Sequence, residues 1–379
     1  MGLRYSDFVD YKKLDPLKKM ALEIFEPTLK YPEDRGIRIL PESLGQTAVV
    51  FDLSGIGSLD FLLSKSIEDL GTKNRIADDM YKEIVEKKRI AQNVNVKKLY
   101  RGLGKDTAAM SVNDVLALGA DPFIYCDIIA CGSSKWFEDE ERNRELLLGY
   151  RDAADEGRFA IPQGESPELP KTINPDTLYL AGDSNGLIKP KSRYISGNRL
   201  EEGDVIYALS SSGIHANGVS KARKIAEKLP DGFFTELSNG KTLGEELLTP
   251  TPIYTKPVLR LLEIMDVHFL QPITGHGWKK LMRANKPFTY VVENVPEPPL
   301  IFKELIEFGK GNGFDVSDEE NFQTWNMGYG YAFFGPRTDV DYLRKEIRKV
   351  CDLEVYEVGH VERGDKKVVI KPKNITYTD

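Results

Sequence analysis

The chain has 379 residues, 41% hydrophobic and 29% charged, with a net charge of −7. That length supports two domains with full-sized cores. The acidic balance argues against nucleic acid as the main partner, because a phosphate-binding surface normally carries a basic excess. An acidic protein that binds a phosphorylated ligand usually needs metal ions to bridge the charges. The start, MGLRYSDFVDYKK, has no apolar h-region of a signal peptide, although Met1–Ser6 fits the short, common myristoylation pattern. No window has the apolar length of a membrane helix. Cys126, Cys131 and Cys351 lack metal-site spacing and are expected to be reduced core cysteines of a cytoplasmic protein.

In chain order, residues 15–29 place apolar residues at helical spacing behind an Asp-Pro start signal. Residues 47–53 (TAVVFDL) predict a strand. Residues 74–92 are apolar on one face and charged on the other, and predict a surface helix. Asp106 is expected to cap a helix, DTAAMSVNDVLALG, that stops at Gly119. A buried strand, FIYCDIIA, follows, then a helix over 140–156. Ile161–Pro175 is rich in proline and predicts a loop, and TLYLAGDSNGLI predicts an apolar strand.

Polar and basic residues around 188–203 mark a domain boundary. The expected domains are 1–188 and 189–379. Past the boundary come a strand, VIYALSSS, a glycine turn and a helix, HANGVSKARKIAEKL. Helices at 251–265, 276–284, 299–309 and 339–352 alternate with strands FTYVVENV, GYGYAFFG and EVYEVGHV. Mixed strands and helices in both halves predict two α/β (α+β) domains, each a mixed sheet with packed helices.

Several constellations could carry chemistry. Asp106 and Asn113 share a helix face with Asp114 beside them, about 10–12 Å from end to end. One ion cannot reach both carboxylates directly, but several ions along a phosphate chain could. An N-cap Asp and a solvated Asn-Asp pair would look the same. Ser66–Lys73 (SIEDLGTK) offers two carboxylates, a glycine, a hydroxyl and a cation, the parts of a metal-and-phosphate loop or of a charged turn. Gln163–Pro170 (QGESPELP) sets two carboxylates in a proline-stiffened loop. Ser210–Gly218 (SSSGIHANG) and Ile273–Trp278 (ITGHGW) are glycine turns that open helices and could cradle an anion. His215 could equally be a helix-cap residue without a chemical role. Trp325–Gly330 could let backbone approach a ligand, or make a tight bend in a strand. Walker A and H-E-x-x-H patterns are missing.

Taken together and in this order, from about Glu68 to Gly330, these segments resemble the aminoimidazole ribonucleotide synthetase (phosphoribosylformylglycinamidine cyclo-ligase) family. DTAAMSVNDVLALGADPFIYCDIIA is similar to its D-x-V-A-M-C-V-N-D-I-L-x-x-G-A-x-P-x-x-x-x-D-Y-x-A. GDVIYALSSSGIHANGVSKAR and LLTPTPIYTKPVLRLL are similar to its later motifs. The resemblance implies an N-terminal half that pairs in a homodimer. It also implies an enzyme that uses ATP and Mg2+: ATP phosphorylates an amide oxygen of a ribonucleotide in purine biosynthesis, and an amine closes the ring. By motif position, Glu68, Asp69, Asp106, Asp114 and Glu165 would hold magnesium. Gly71, Thr72, Lys73, Asn113, Gly213 and Asn326 would bind the nucleotide, and Lys73, His215 and Asn217 would serve catalysis.

The chain also departs from the family. Asp69 replaces a glycine, and a helix is inserted between Lys73 and Asp106. The family's G-G-E-T-A-E-M-P-G appears as Gln163–Pro170. The family's H-I-T-G-G-G appears as Pro272–Gly277 (PITGHG), so the usual histidine is lost and His276 stands at a glycine position. Its N-terminal segment is echoed only by Tyr5–Asp10. These departures leave an alternative reading, a paralogous enzyme that phosphorylates another amide or carboxylate, or a nucleotide-binding protein without turnover.

Overall fold

Two apolar runs, FIYCDIIA and TLYLAGDSNGLI, become the inner strands of a four-stranded sheet, with most of their residues buried. The computed structural model describes residues 11–41, 44, 51–88, 94–284 and 286–378. The chain forms two units, one of residues up to Val112 with Pro122–Leu187, the other of Asn113–Asp121 with Ile188–Asp379.

The first unit opens with helix α1, Tyr11–Phe25. Short strands β1, Arg38–Ile39, and β2, Phe51–Asp52, pair antiparallel. They precede β3, Leu62–Asp69, and helix α2, Asn74–Tyr81, which runs into a π-helical turn at Lys82–Glu86. Helix α3 covers Val96–Leu116, β4 Asp121–Cys131, α4 Glu140–Gly157, β5 Ala160–Glu165 and β6 Leu178–Ile188. The sheet order is β3-β6-β4-β5, with β4 and β5 parallel. Helices α3 and α4 touch backbone to backbone: a Cβ on Gly104 would lie 2.2 Å from Leu146 O, and one on Gly149 1.9 Å from Arg101 O. Gly104 thus serves packing rather than phosphate binding. Asp139 caps α4 by accepting from the Arg142 N–H.

The second unit holds β7, Val205–Ser210; α5, Val219–Ala226; α6, Leu243–Leu247; α7, Thr255–Ile264; and β8, Phe269–Pro272. A 3-10 turn at Gly277–Arg283 follows, then β9, Phe288–Val292; α8, Leu300–Gly311; α9, Asp318–Thr324; and β10, Tyr329–Gly335. Helix α10, Val340–Ile347, and strands β11, Val355–Arg363; β12, Lys367–Ile370; and β13, Ile375–Thr378, complete it. The sheet order is β13-β12-β9-β11-β7-β10-β8. Strand β10 is buried along its whole length. Its Tyr331 and Phe333 join Leu116, Tyr207, Tyr254, Val258 and Leu343 in one core. Strand β8 is an edge, which is why Pro272 fits there.

Several expectations are corrected. Asp106 is no N-cap: α3 begins ten residues earlier, at Val96, because VKKLYRGLG continues the helical pattern upstream. The segment inserted after Lys73 is therefore α2, a π turn and the first half of α3 itself. Ile161–Glu165, expected in a loop, is most of β5, since Pro162 is tolerated on an edge strand. The first helix opens at Tyr11, not Asp15. The helix expected from His215 starts at Val219, because Gly218 takes a left-handed conformation. The 276–284 segment is 3-10 rather than α-helical. Strands β1, β3, β8, β12 and β13 and helices α6 and α9 have no counterpart in the sequence reading. Residues 1–10, 47–50 and 89–92 lie outside the described residues, and with them the Met1–Ser6 pattern, the Tyr5–Asp10 echo and parts of two expected elements.

Candidate active site

In the first unit, β3 ends in Glu68 and Asp69, both exposed. The chain then turns at Gly71, whose φ of 68° favours glycine, and whose N–H donates to Asp69 Oδ1 at 2.7 Å. Thr72 is exposed on the turn. Lys73 is fully buried, with Nζ 2.7 Å from Oδ2 of the equally buried Asp106. Burial lowers the Lys73 pKa, and the Asp106 carboxylate opposes that shift. A buried pair of this kind fixes the turn above it, because separating the charges would leave one uncompensated.

Glu165 ends β5 on the opposite edge of the same sheet. Three strand spacings, roughly 14 Å, separate the strand carrying Glu68 and Asp69 from the strand carrying Glu165. Between them lies a residue that matches the second-half aspartate of the family pattern but was assigned no role. Asp127, on β4 opposite Gly164, is 5% exposed, and its Oδ1 has no hydrogen-bond partner. Burial, reinforced by Glu165, pushes its pKa up to about 7. The available signals were a lone carboxylate inside the apolar run FIYCDIIA and the aspartate of the family's D-Y-x-A at the same position. Asp127, Gly164 and Glu165 line a cavity of about 530 Å³ with apolar walls from Leu17, Phe25 and Ile161.

In the second unit, three loops converge. Asn326 donates from Nδ2 to Gly213 O at 2.8 Å, while its Oδ1 accepts from Ser211 Oγ and Gly328 N, both at 2.9 Å. Trp278 Nε1 donates to Asn326 O at 3.0 Å, and Ile273 N to Gly330 O at 3.0 Å. The Ser210–Gly218 turn, the Ile273–Trp278 turn and the Trp325–Gly330 bend thus form one constellation. Buried His215 sits against Gly330, where an added Cβ would lie 2.7 Å from His215 Cε1 and 1.8 Å from Tyr254 Oη. Asn217 Nδ2 is buried without a hydrogen-bond partner.

Asn113 has a structural task. Its Oδ1 accepts from Tyr254 N at 3.0 Å, and its Nδ2 donates to Pro252 O at 3.0 Å. Asp114, next along α3, is half-buried. Among the described residues, the single group of three possible metal ligands within 4.8 Å of one another is Glu201, Asp204 and His268. There the His268 ring is engaged at both nitrogens, by Asp204 at 2.8 Å and Asp266 at 3.1 Å.

The family described as AIR synthase related protein matches this chain twice, its N-terminal domain over residues 83–182 and its C-terminal domain over 201–371. The phosphoribosylformylglycinamidine cyclo-ligase of Clostridium acetobutylicum is 34% identical over 364 residues, 95% of this chain and 96% of that protein. That of Methanocaldococcus jannaschii is 39% identical over 284 residues, 73% and 77% of the two chains. Among solved structures, hydrogenase maturation protein HypE in complex with ATP is similar with a TM-score of 0.59 at 16% identity, covering 99% of this chain and 94% of that one. Thiamine-monophosphate kinase from Stenotrophomonas maltophilia is similar with a TM-score of 0.59 at 17% identity, covering 97% and 98%. At such identities the two structures speak for the fold alone. No described helix is long and apolar enough to cross a membrane.

Proposed function

The chain belongs to the AIR synthase related protein family, and on that premise we propose that it is an ATP-dependent cyclo-ligase acting on formylglycinamidine ribonucleotide. The observation that carries this reading is the similarity to cyclo-ligases along 95% of the chain. In the reaction, the formyl amide oxygen takes the γ-phosphoryl group of ATP, which leaves as ADP. The amidine nitrogen then attacks the activated carbon, phosphate departs with that oxygen, a proton is lost, and the imidazole ring is closed.

Positioning and charge neutralisation supply most of the rate in such transfers. Gly71 and Thr72 present the turn to the phosphates, and the Lys73–Asp106 pair holds that turn from below. Gly213, His215, Asn217 and Asn326 belong to the second unit's constellation, in an arrangement fixed by Asn326. Asn113 shapes it through the Pro252–Tyr254 backbone.

The donor chemistry fits Mg2+. Glu68, Asp69, Asp106, Asp114 and Glu165 offer only oxygen ligands, and Asp127 Oδ1 is an orphaned buried acceptor beside Gly164. Those residues would hold the metal, which when bound neutralises the charge of the phosphates. The spread between the two sheet edges suits several ions along one triphosphate. The proposed boundary at 188–189 lies one residue from the Leu187–Ile188 division of the two units, of which the second also takes Asn113–Asp121. A second copy of the chain is proposed to cover Leu63, Ile67 and Tyr179, which are 55%, 68% and 44% exposed on strands β3 and β6.

The test is ADP release at fixed magnesium, with and without formylglycinamidine ribonucleotide. Release that depends on the ribonucleotide supports the reading. Tight ATP binding with no stimulation by it overturns the reading.

A further inference from the structure

The Pro272–Gly277 loop is the part of the site that departs most from the family pattern. Gly277 N donates to Thr274 O at 2.8 Å, closing a four-residue turn with His276 at its third position. His276 has φ 69° and ψ 5°, the geometry that a type II turn gives to glycine. A non-glycine residue is strained there, and such strain persists where function maintains it.

The imidazole is exposed, and no hydrogen bond or ion pair to it is found among the described residues. The backbone, by contrast, is fixed. A Cβ on Gly277 would lie 2.1 Å from Phe322 O, and one on Gly275 would lie 3.6 Å from Asn217 Oδ1. Lys280 Nζ bonds Thr274 Oγ1, the first residue of the turn. The turn therefore sets Gly275 beside Asn217, with the exposed ring on the next residue, in a stretch (Thr274–Arg283) that carries Lys279, Lys280 and Arg283 and no acidic residue.

We propose that His276 is a specificity-determining residue that binds the phosphomonoester of the ribonucleotide substrate. The inference rests on the cyclo-ligase reading for the identity of that substrate, and on the turn geometry for the contact. The chain lacks an imidazole at position 272 and supplies one four residues later, on an exposed turn.

The test uses the full-length enzyme with His276→Gly and His276→Asn. Glycine relieves the left-handed backbone, and asparagine tolerates it while removing the ring. Both variants should raise KM for formylglycinamidine ribonucleotide about tenfold, the loss of one charge-assisted hydrogen bond. KM for ATP should stay unchanged, and His276→Gly should melt at a higher temperature than wild type. Titration with ribose 5-phosphate, followed by calorimetry, is the second measurement, and both variants should bind it more weakly. An unchanged KM for the ribonucleotide overturns the proposal and leaves the cyclo-ligase reading standing. If the wild type shows no ribonucleotide-dependent ADP release, that reading falls, and ribose 5-phosphate decides the role of His276 alone. Equal affinity in wild type and variants, or no binding to wild type, overturns it.

Discussion

The carboxylate of Asp127 fills the space that a side chain on Gly164 would need, since a Cβ built there would lie 2.3 Å from Oδ1 and 2.6 Å from Oδ2. The two residues face each other across the parallel β4–β5 pair. Glycine at 164 is thus a steric condition for keeping a buried carboxylate next to Glu165. Gly164→Ala should destabilise by about 1–3 kcal/mol, the usual cost of overpacking. Adding Asp127→Ala should restore part of that loss, with a coupling above about 1 kcal/mol in a denaturation double-mutant cycle. Additive losses would contradict the contact.

The Lys73–Asp106 pair should behave as a buried ion pair. Lys73→Met leaves a buried carboxylate without its countercharge and should cost about 3–5 kcal/mol. Lys73→Met with Asp106→Leu should recover much of that stability while abolishing ATP turnover. Urea midpoints separate the two effects from activity. A loss below about 1 kcal/mol for the single variant would mean that the pair does not anchor the turn.

Gly330 lies under His215 and Tyr254, so Gly330→Ala should displace the imidazole. Steady-state kinetics should show kcat/KM falling at least tenfold, equivalent to about 1.4 kcal/mol of lost transition-state binding. Tyr254→Phe in the same chain removes the oxygen 1.8 Å from the new methyl position and should return part of the activity.

Asp78 gives a pH dependence with a definite sign. Burial raises its pKa to about 6, against the opposing bonds from Thr177, Tyr100 and Trp136. The folded value lies above the unfolded one of about 3.9. Its contribution is therefore complete below about pH 4 and is lost as pH rises through about 6. Asp127, raised to about 7, acts in the same direction over a slightly wider window. The stability difference between wild type and Asp78→Asn should shrink from pH 4 to pH 7 in urea titrations. A constant difference would refute the assignment.

The exposed apolar side chains of β3 give a prediction about assembly. Ile67→Asp should convert a homodimer to a monomer in light scattering while leaving the circular dichroism spectrum unchanged. A wild type that is already monomeric would overturn the dimer proposal.

Much of the architecture was legible because hydrophobic period reports burial directly. The runs at 123–130 and 178–188 carry few polar residues, and both proved to be inner strands. The helix expected over 140–156 is α4, and the structure shows it capped by Asp139. Strand β3 was missed because LLSKSIED is an edge strand with charges on its open face, and nothing in its pattern separates it from a loop. Asp106 was misplaced as a cap because an Asp before an apolar run has the same local appearance at a helix start and inside a helix. A buried lysine 33 residues earlier helps to make the interior position tolerable.

Residue identity and order by themselves determined the family, because the motifs must occur in one sequence to be read at all. They also determined the oxygen-rich character of the proposed metal set and the anomaly at 272–277. What only the tertiary structure decided was how each of those residues is employed. Lys73 is buried against Asp106, Asn113 is engaged with the Pro252–Tyr254 backbone, Asp127 is confined over Gly164, and His276 is held in a glycine-like conformation with its ring exposed. The reason is physical: a side chain's role depends on desolvation and on partners distant in sequence, and neither is a property of local spacing.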